Sequence, residues 1–365
     1  LRAEALAYLA VLSIYAAPLA RRRELSDDSL ELARAHGEPA VLRFVLSARV
    51  WALFAPENAP DRVAQSDEII DLSSPNGTDR VAGLVARVDA HLELADRAAV
   101  DADIEEHARI AERARLPGLA WMTAVYRATL ATLDGRIEEA DRRVTEAFAL
   151  GQRVQNPNAV QAFGVQLGRV RYEQGRLPEV VQLIETYAAQ FPEQWAWRCG
   201  LVHFRAEAGE DVRAQYAELL ARDLSRLPRD SLWLPALALL SELVVRHGDA
   251  TAAETVYAMM QPCARRNVMV AGSIANFGPS SRCLAGLALT LGRWDEAWAH
   301  FDDALETSRG VGDRTWEAHT LRNLACARVA HGEPASLALA GEAVSRARAA
   351  YEALGTVHFL ERLPE

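Results

Sequence analysis

The sequence predicts an all-α protein, a right-handed α-solenoid of tandem antiparallel helix pairs. Apolar residues recur with the helical period throughout, and no alternating apolar and polar run is long enough to predict a sheet. Glycines interrupt this period at intervals of 34 to 44 residues, at Gly135, Gly175, Gly209, Gly248, Gly292 and Gly332. Half of the 365 residues are hydrophobic and a quarter are charged, so the chain can bury a large core.

The clearest helix pair spans 284–305. Its apolar residues recur at i, i+3, i+4 and i+7 from Leu284 to Leu291, stop at Gly292-Arg293, and resume at Trp294. We expect each interrupting glycine to adopt the left-handed conformation that closes a tight turn. Small residues seven positions before and five after the glycines would let paired helices approach closely: Ala128, Ser241, Ala285, Ala325, Ala140, Ala214, Ala253 and Ala297.

Helical pairs are also predicted upstream, although without clean glycines. The segments are 6–14, 22–35, 40–54, 61–72, 81–94 and 99–115. We therefore divide the chain into degenerate N-terminal hairpins (1–115), repeats continuous with them (116–355) and a C-terminal tail (356–365).

The recurring order of leucine, small residue, glycine, alanine, aromatic residue and alanine resembles the tetratricopeptide repeat, most closely in 284–305. Together with the stretches 22–27, 158–167 and 227–233, this pattern is similar to the C-terminal helical region of bacterial AAA-type or STAND-type signalling ATPases. In that family a nucleotide cyclase or LuxR-type DNA-binding domain can be attached. The resemblance implies a sensor or scaffold arm; the motifs of those catalytic and DNA-binding domains do not occur in these residues.

Charge and composition exclude several classes of function. The formal charge of -10 disfavours direct contact with nucleic acid or anionic membranes. No segment has the roughly 18 apolar residues of a membrane span. All 40 basic residues are arginines, so the P-loop and Schiff-base lysines are absent. Four widely spaced cysteines fit a reducing compartment, and we expect a cytoplasmic protein.

The sequence predicts no catalytic residue, metal site or cofactor. Glu296 and His300 share a helix face but lack the second histidine of a zinc-binding helix, and no Gly-x-Ser-x-Gly motif occurs. We expect a non-catalytic interaction or sensor scaffold, the regulatory arm of a multidomain signalling ATPase or transcriptional regulator. Its partners would be a protein, a peptide or flanking domains of a longer polypeptide, with a homodimer as an open alternative. The alternative function is a stand-alone receptor for a small molecule or peptide inside the superhelix.

One segment, 262–282, departs from the repeat pattern. Loops of this length in compact arrays are uncommon unless they bind something or are disordered. Arginines here suit a carboxylate or phosphate, and tryptophan is a favoured interface anchor. The candidate binding residues are Arg265, Arg266, Asn267, Asn276, Arg282 and Trp233. The alternative is that apolar residues such as Val268 and Phe277 simply pack this loop over the core.

Overall fold

The computed structural model describes residues 1–14 and 17–364, and within them the fold is all-α, with eighteen α-helices. The first six are α1 (Arg2–Leu12), α2 (Leu19–His36), α3 (Pro39–Ala52), α4 (Ala59–Asp71), α5 (Val81–Glu93) and α6 (Arg97–Ala114). The next six are α7 (Pro117–Leu133), α8 (Ile137–Arg153), α9 (Ala159–Glu173), α10 (Pro178–Gln190), α11 (Trp195–Glu207) and α12 (Arg213–Leu220). The last six are α13 (Trp233–His247), α14 (Ala250–Met260), α15 (Ser280–Thr290), α16 (Trp294–Val311), α17 (Arg314–His331) and α18 (Pro334–Leu354).

Most consecutive helices pack against one another, most extensively α17 with α18, α7 with α8, α15 with α16 and α4 with α5, while α13 packs on α11 rather than on the short α12. The turn glycines between them were predicted correctly. Their φ angles lie between 63° and 88° at Gly135, Gly175, Gly209, Gly248, Gly292 and Gly332. At the first of these turns the Arg136 amide donates to the Ala131 carbonyl at 2.9 Å and the Gly135 amide to the Thr132 carbonyl at 3.0 Å. These bonds satisfy carbonyls that the end of α7 leaves free.

Most of the small residues predicted at the crossings of paired helices are buried, but Ala214 on the short helix α12 is exposed. Ala128, Ala140, Ala253, Ala285 and Ala297 are fully buried. Larger side chains fill the space beside them, and the largest core cluster joins α11 to α16 around Leu237, Leu240, Leu243, Leu284 and Leu287. Burial of each such leucine contributes about 1.5 to 3 kcal/mol relative to exposure, so packing between neighbouring pairs stabilises the array.

The N-terminal helices occupy the predicted segments, and their turns explain why glycines were missing there. Ala95 after α5 and Arg115 after α6 adopt φ angles of 60° and 51°. Left-handed conformation costs a non-glycine residue about 1 to 2 kcal/mol. At these two turns the fold therefore imposes a geometry that the local sequence does not favour.

Contacts also join residues far apart in sequence. The Arg22 guanidinium donates to the Arg229 carbonyl at 2.9 Å, across 207 residues. Arg97 donates to the Val311 carbonyl at 3.3 Å, across 214 residues. The two halves of the chain are thus packed against each other.

The C-terminal segment predicted as a tail forms a 3-10 helix, Val357–Arg362. Phe359 is 1% exposed and its ring lies 5.4 Å from that of Tyr172 and 5.3 Å from that of Tyr351. This segment therefore covers α9 and α18. Among the described residues, no helix has both the length and the apolar character needed to cross a membrane.

Candidate ligand-binding site

The segment 262–282 forms a β-hairpin that the sequence did not predict. Strands β1 (Asn267–Met269) and β2 (Asn276–Pro279) pair antiparallel, with Asn267 opposite Pro279 and Met269 opposite Asn276. Strands of three and four residues are too short to show the alternation by which strands are recognised. We call residues 267–279 the hairpin.

The tip of the hairpin lies among helices from the first half of the chain. The Ser273 amide and hydroxyl donate to Asp89 Oδ1 on α5 at 3.0 and 3.1 Å. The Thr129 hydroxyl on α7 lies 2.7 Å from the Ile274 carbonyl, which also accepts from Gln166 Nε2 on α9 at 3.0 Å. Three helices distant in sequence therefore fix one turn, and these contacts explain why the short strands form.

The base of the hairpin is held by α17. Asn276 donates its side-chain amide to Asp313, and its carbonyl accepts from Trp316 Nε1 at 3.2 Å. Gly278 has a φ angle of 84°, and a Cβ placed there would lie 2.6 Å from the Trp316 ring. Only glycine fits this position without strain. Burial raises the pKa of the Asp313 carboxyl to about 7.

Below the hairpin tip, one buried guanidinium faces two buried carboxylates. Arg62 Nη1 lies 3.1 Å from Asp89 Oδ2, and Arg62 Nη2 contacts Glu93. Burial raises the pKa of both carboxyls, that of Glu93 to about 8, although Arg62 partly opposes this effect. Because Arg62 is the only cation of the described residues in direct contact with both carboxylates, burial favours protonation of the pair.

The hairpin forms one wall of a cavity of about 340 Å³, which we call the apolar cavity. Ile274 and Phe277 contribute on the hairpin side, and Trp51, Trp121 and Trp197 on the helix side. Its polar side chains are Asn158, Gln161, Gln194 and Ser231, and no ionisable side chain of the described residues lines it. An aromatic wall with a few neutral hydrogen-bonding groups suits an uncharged, largely apolar molecule.

The apolar cavity adjoins a groove of about 970 Å³. Gln194, Ala196 and Leu232 line both spaces. The predicted residue Trp233 lies in this groove, 3% exposed, with the Arg229 guanidinium 4.1 Å above its ring. The groove therefore lies directly beside the cavity.

The other predicted site residues lie around the hairpin and outside the apolar cavity. Arg265 is exposed and pairs with Asp303 at 3.2 Å and with Glu306. Arg266 donates to the Pro56 carbonyl at 3.3 Å, and buried Asn267 contacts Met269 Sδ at 3.5 Å. Together with Asn276 they hold the hairpin in place.

Arg282 alone among the predicted arginines faces an enclosed space. It lies beyond Phe277, and its Nη1 is 2.5 Å from Glu242 Oε1. The residues of the apolar cavity were missed by sequence reasoning. The only signal for them was tryptophan at helical spacing, which is equally typical of packing between repeats.

The described residues contain no cluster of histidine, cysteine, aspartate and glutamate suited to a metal ion. The sequence matches no family model, and no curated protein is significantly similar to it. The similarity to tetratricopeptide repeats and to signalling ATPases therefore stays a prediction from the residues.

Proposed function

We propose that this chain is a non-catalytic sensor that binds a small, uncharged, largely apolar molecule in the apolar cavity. The observation that carries the proposal is a space of about 340 Å³ enclosed by three tryptophans and the hairpin. Volumes of about 300 Å³ and more, with apolar walls and few polar groups, are typical of small-molecule sites. This is the receptor function that the sequence left as its alternative.

The position of the hairpin gives the sensor a means of response. A molecule in the cavity contacts Ile274 and Phe277 on the hairpin together with helices α3, α7 and α11. The same hairpin is bonded to α5, α7, α9 and α17. A ligand that prefers one arrangement of these elements shifts the equilibrium towards it.

The proposal also includes the arrangement of the helix pairs and the role of this chain in a larger protein. We propose that the helix pairs form a right-handed, tetratricopeptide-like superhelix; the turn glycines and the packing of successive helix pairs support this arrangement. The sequence resemblance supports a regulatory arm of a larger signalling protein, acting on flanking domains or on a protein or peptide partner. A cytoplasmic location stays a prediction from cysteine usage.

Binding can be tested with Nile red, an uncharged dye whose fluorescence rises in apolar surroundings. Val165 on α9 lines the cavity, whereas Val160 on the same helix is 46% exposed. We expect saturable binding of one dye per chain to wild type and to Val160→Trp, and binding at least about tenfold weaker to Val165→Trp, whose indole fills the space. Equal binding by both variants would place the dye elsewhere and refute this site.

A second candidate, a protein-interaction scaffold, is favoured by the exposed apolar face of α1. Tyr8, Leu9 and Leu12 are 58%, 48% and 75% exposed. Because symmetric self-association is the commonest way in which soluble chains cover such a face, we propose a second copy as its partner. Light scattering would give twice the 40.0 kDa chain mass for wild type and the single mass for Leu9→Arg; a wild-type monomer at high concentration rules out this partner.

A further inference from the structure

A second space of about 40 Å³ lies on the far side of Phe277 and Leu239, which line both it and the apolar cavity. We call it the polar chamber. In contrast to the apolar cavity, ionisable side chains from five helices line it: Tyr172 on α9, His203 and Glu207 on α11, Glu242 on α13, Arg282 on α15 and Arg322 on α17. Trp316 and Phe277 provide its apolar surface.

Within the part of the chain that the structure describes, Arg322 is a partly buried cation without a direct ion pair. Its side chain lines the chamber and stays partly exposed, and although burial opposes this effect, the negative charges of Glu207 and Glu242 help to raise its pKa. Its Nε and Nη2 reach only Asn323 Oδ1, at 3.4 and 3.2 Å, and Nη1 has no protein partner. Among the described residues, no carboxylate lies within 4.0 Å of this guanidinium. Burial of an uncompensated charge is strongly unfavourable.

Arg282 is the second guanidinium that lines the chamber. The residue is 4% exposed, with Nη1 paired to Glu242 at 2.5 Å and Nη2 3.7 Å from Cys283 Sγ. Its Nε has no protein partner. Two guanidinium groups on facing helices therefore line one chamber with unused N–H donors.

The ion pairs around the chamber leave one guanidinium without a direct partner. Arg246 and Arg362 both form salt bridges with Glu207, and Arg282 forms one with Glu242. Arg322 therefore has no carboxylate partner among the residues that the structure describes. Of these four arginines only Arg282 and Arg322 line the chamber, together with Glu207 and Glu242, whereas Arg246 and Arg362 reach Glu207 from the exposed surface. Burial lowers the pKa of His203, so that this ring is neutral near pH 7. The lining charges balance in number, but both carboxylates are paired with other arginines, and a bound anion would give Arg322 a direct partner.

We propose that the polar chamber binds the carboxylate of a small monoanion, with Arg322 as its main ligand and Arg282 as the second. Guanidinium N–H groups match the geometry of a carboxylate. A volume of about 40 Å³ exceeds the roughly 10 to 15 Å³ that one water molecule needs, so a group of a few atoms fits. Glu207 and Glu242 repel a second negative charge, which disfavours a phosphate dianion. The rings of Phe277 and Trp316 would contact a short apolar remainder.

This site goes beyond the proposed function and does not depend on it, since the apolar cavity has no ionisable wall. The test uses sodium acetate and sodium propionate as probes, at constant ionic strength in a buffer whose other anion is a bulky sulfonate. Acetamide, which has nearly the same shape without the charge, is the matched probe. The readout is the midpoint of thermal unfolding as a function of probe concentration.

We expect a saturable rise of the wild-type midpoint with acetate and propionate and none with acetamide. The control variant is Arg314→Gln, an exposed arginine on the same helix α17, which should behave as wild type. In Arg322→Gln the apparent affinity should fall at least about tenfold. Without a carboxylate this variant should melt above wild type, because an unpaired buried cation has been removed.

An equal response to acetamide, no response of wild type to either carboxylate, or an unchanged response in Arg322→Gln would each overturn the proposal. Should Arg322→Gln fail to fold, line broadening of ¹³C-labelled acetate by the wild-type chain decides the question. Broadening that propionate reverses and acetamide leaves unchanged supports the site. Absence of broadening overturns it.

Discussion

The apolar cavity and the polar chamber share Phe277 and Leu239 as walls but differ in how their polar groups are partnered. The cavity is lined by indole and aliphatic groups, and its few polar side chains are neutral. The chamber holds guanidinium groups whose N–H donors are only partly used. One short hairpin therefore helps to separate two spaces that suit different ligands. The apolar cavity suits an apolar molecule, and the polar chamber suits a carboxylate.

The largest change in stability should come from removing an arginine of the chamber that has an ion pair, compared with removing one that has none. Arg282→Met removes the partner of Glu242 and leaves that carboxylate beside the chamber without its cation. We expect the free energy of unfolding to fall by about 3 to 5 kcal/mol, measured by urea denaturation. Arg322→Met, which breaks no ion pair, should leave stability unchanged or raise it. A fall as large as that of Arg282→Met would show that Arg322 has a partner.

A substitution at Gly278 can strain the hairpin next to Phe277, which separates the apolar cavity from the polar chamber. Gly278→Ala combines a left-handed φ angle with a Cβ 2.6 Å from the Trp316 ring, so we expect a loss of about 2 to 4 kcal/mol. Gly292→Ala is the matched control, since its φ angle is 71° but no atom lies within 4 Å of the added Cβ. It should cost only about 1 to 2 kcal/mol. Equal losses in urea denaturation would mean that the ring does not hold the hairpin.

A smaller effect on stability is expected from the buried Glu93 carboxyl below the hairpin tip. The pKa of Glu93 is raised from 4.5 to about 8 by burial, so the folded state binds a proton that the unfolded state releases. The stability this proton confers is complete below pH 4.5 and is lost as pH rises through about 8. Between about pH 6.5 and 8.5 the free energy of unfolding of wild type should fall as Glu93 ionises. In Glu93→Gln this fall should be smaller by about 1 to 2 kcal/mol.

The control for that prediction is Glu112→Gln, an exposed carboxylate on α6. It should follow the wild-type pH profile in urea denaturation. A Glu93→Gln profile parallel to wild type would show that Glu93 is ionised in the folded protein, and that the buried pair is balanced differently from our account.

The sequence predicted the repeats well because their causes are local. The helical period and the turn glycines follow from residues within one hairpin, and the φ angles of Gly135 and Gly292 agree with them. The turns at Ala95 and Arg115 carried no such signal, since packing imposes their left-handed geometry.

The hairpin and the cavities could not be predicted in the same way. The hairpin depends on Asp89, Thr129 and Gln166, which lie more than 100 residues before it. Periodicity shows which face of a helix is buried but not whether that face meets another side chain or empty space. Trp121 in the cavity wall and a core tryptophan therefore look alike in sequence. Arg282 was a candidate because of its segment, while Arg322 follows the ordinary helical pattern.

The central claim, a ligand site bounded by the hairpin, is tested most directly by hydrogen exchange of the backbone amides with and without saturating Nile red. Our account predicts slower exchange in 267–279 and in the facing segments of α7, α9 and α11, and no change in α1. Protection confined to α1, or unchanged exchange throughout the hairpin at saturation, would contradict it.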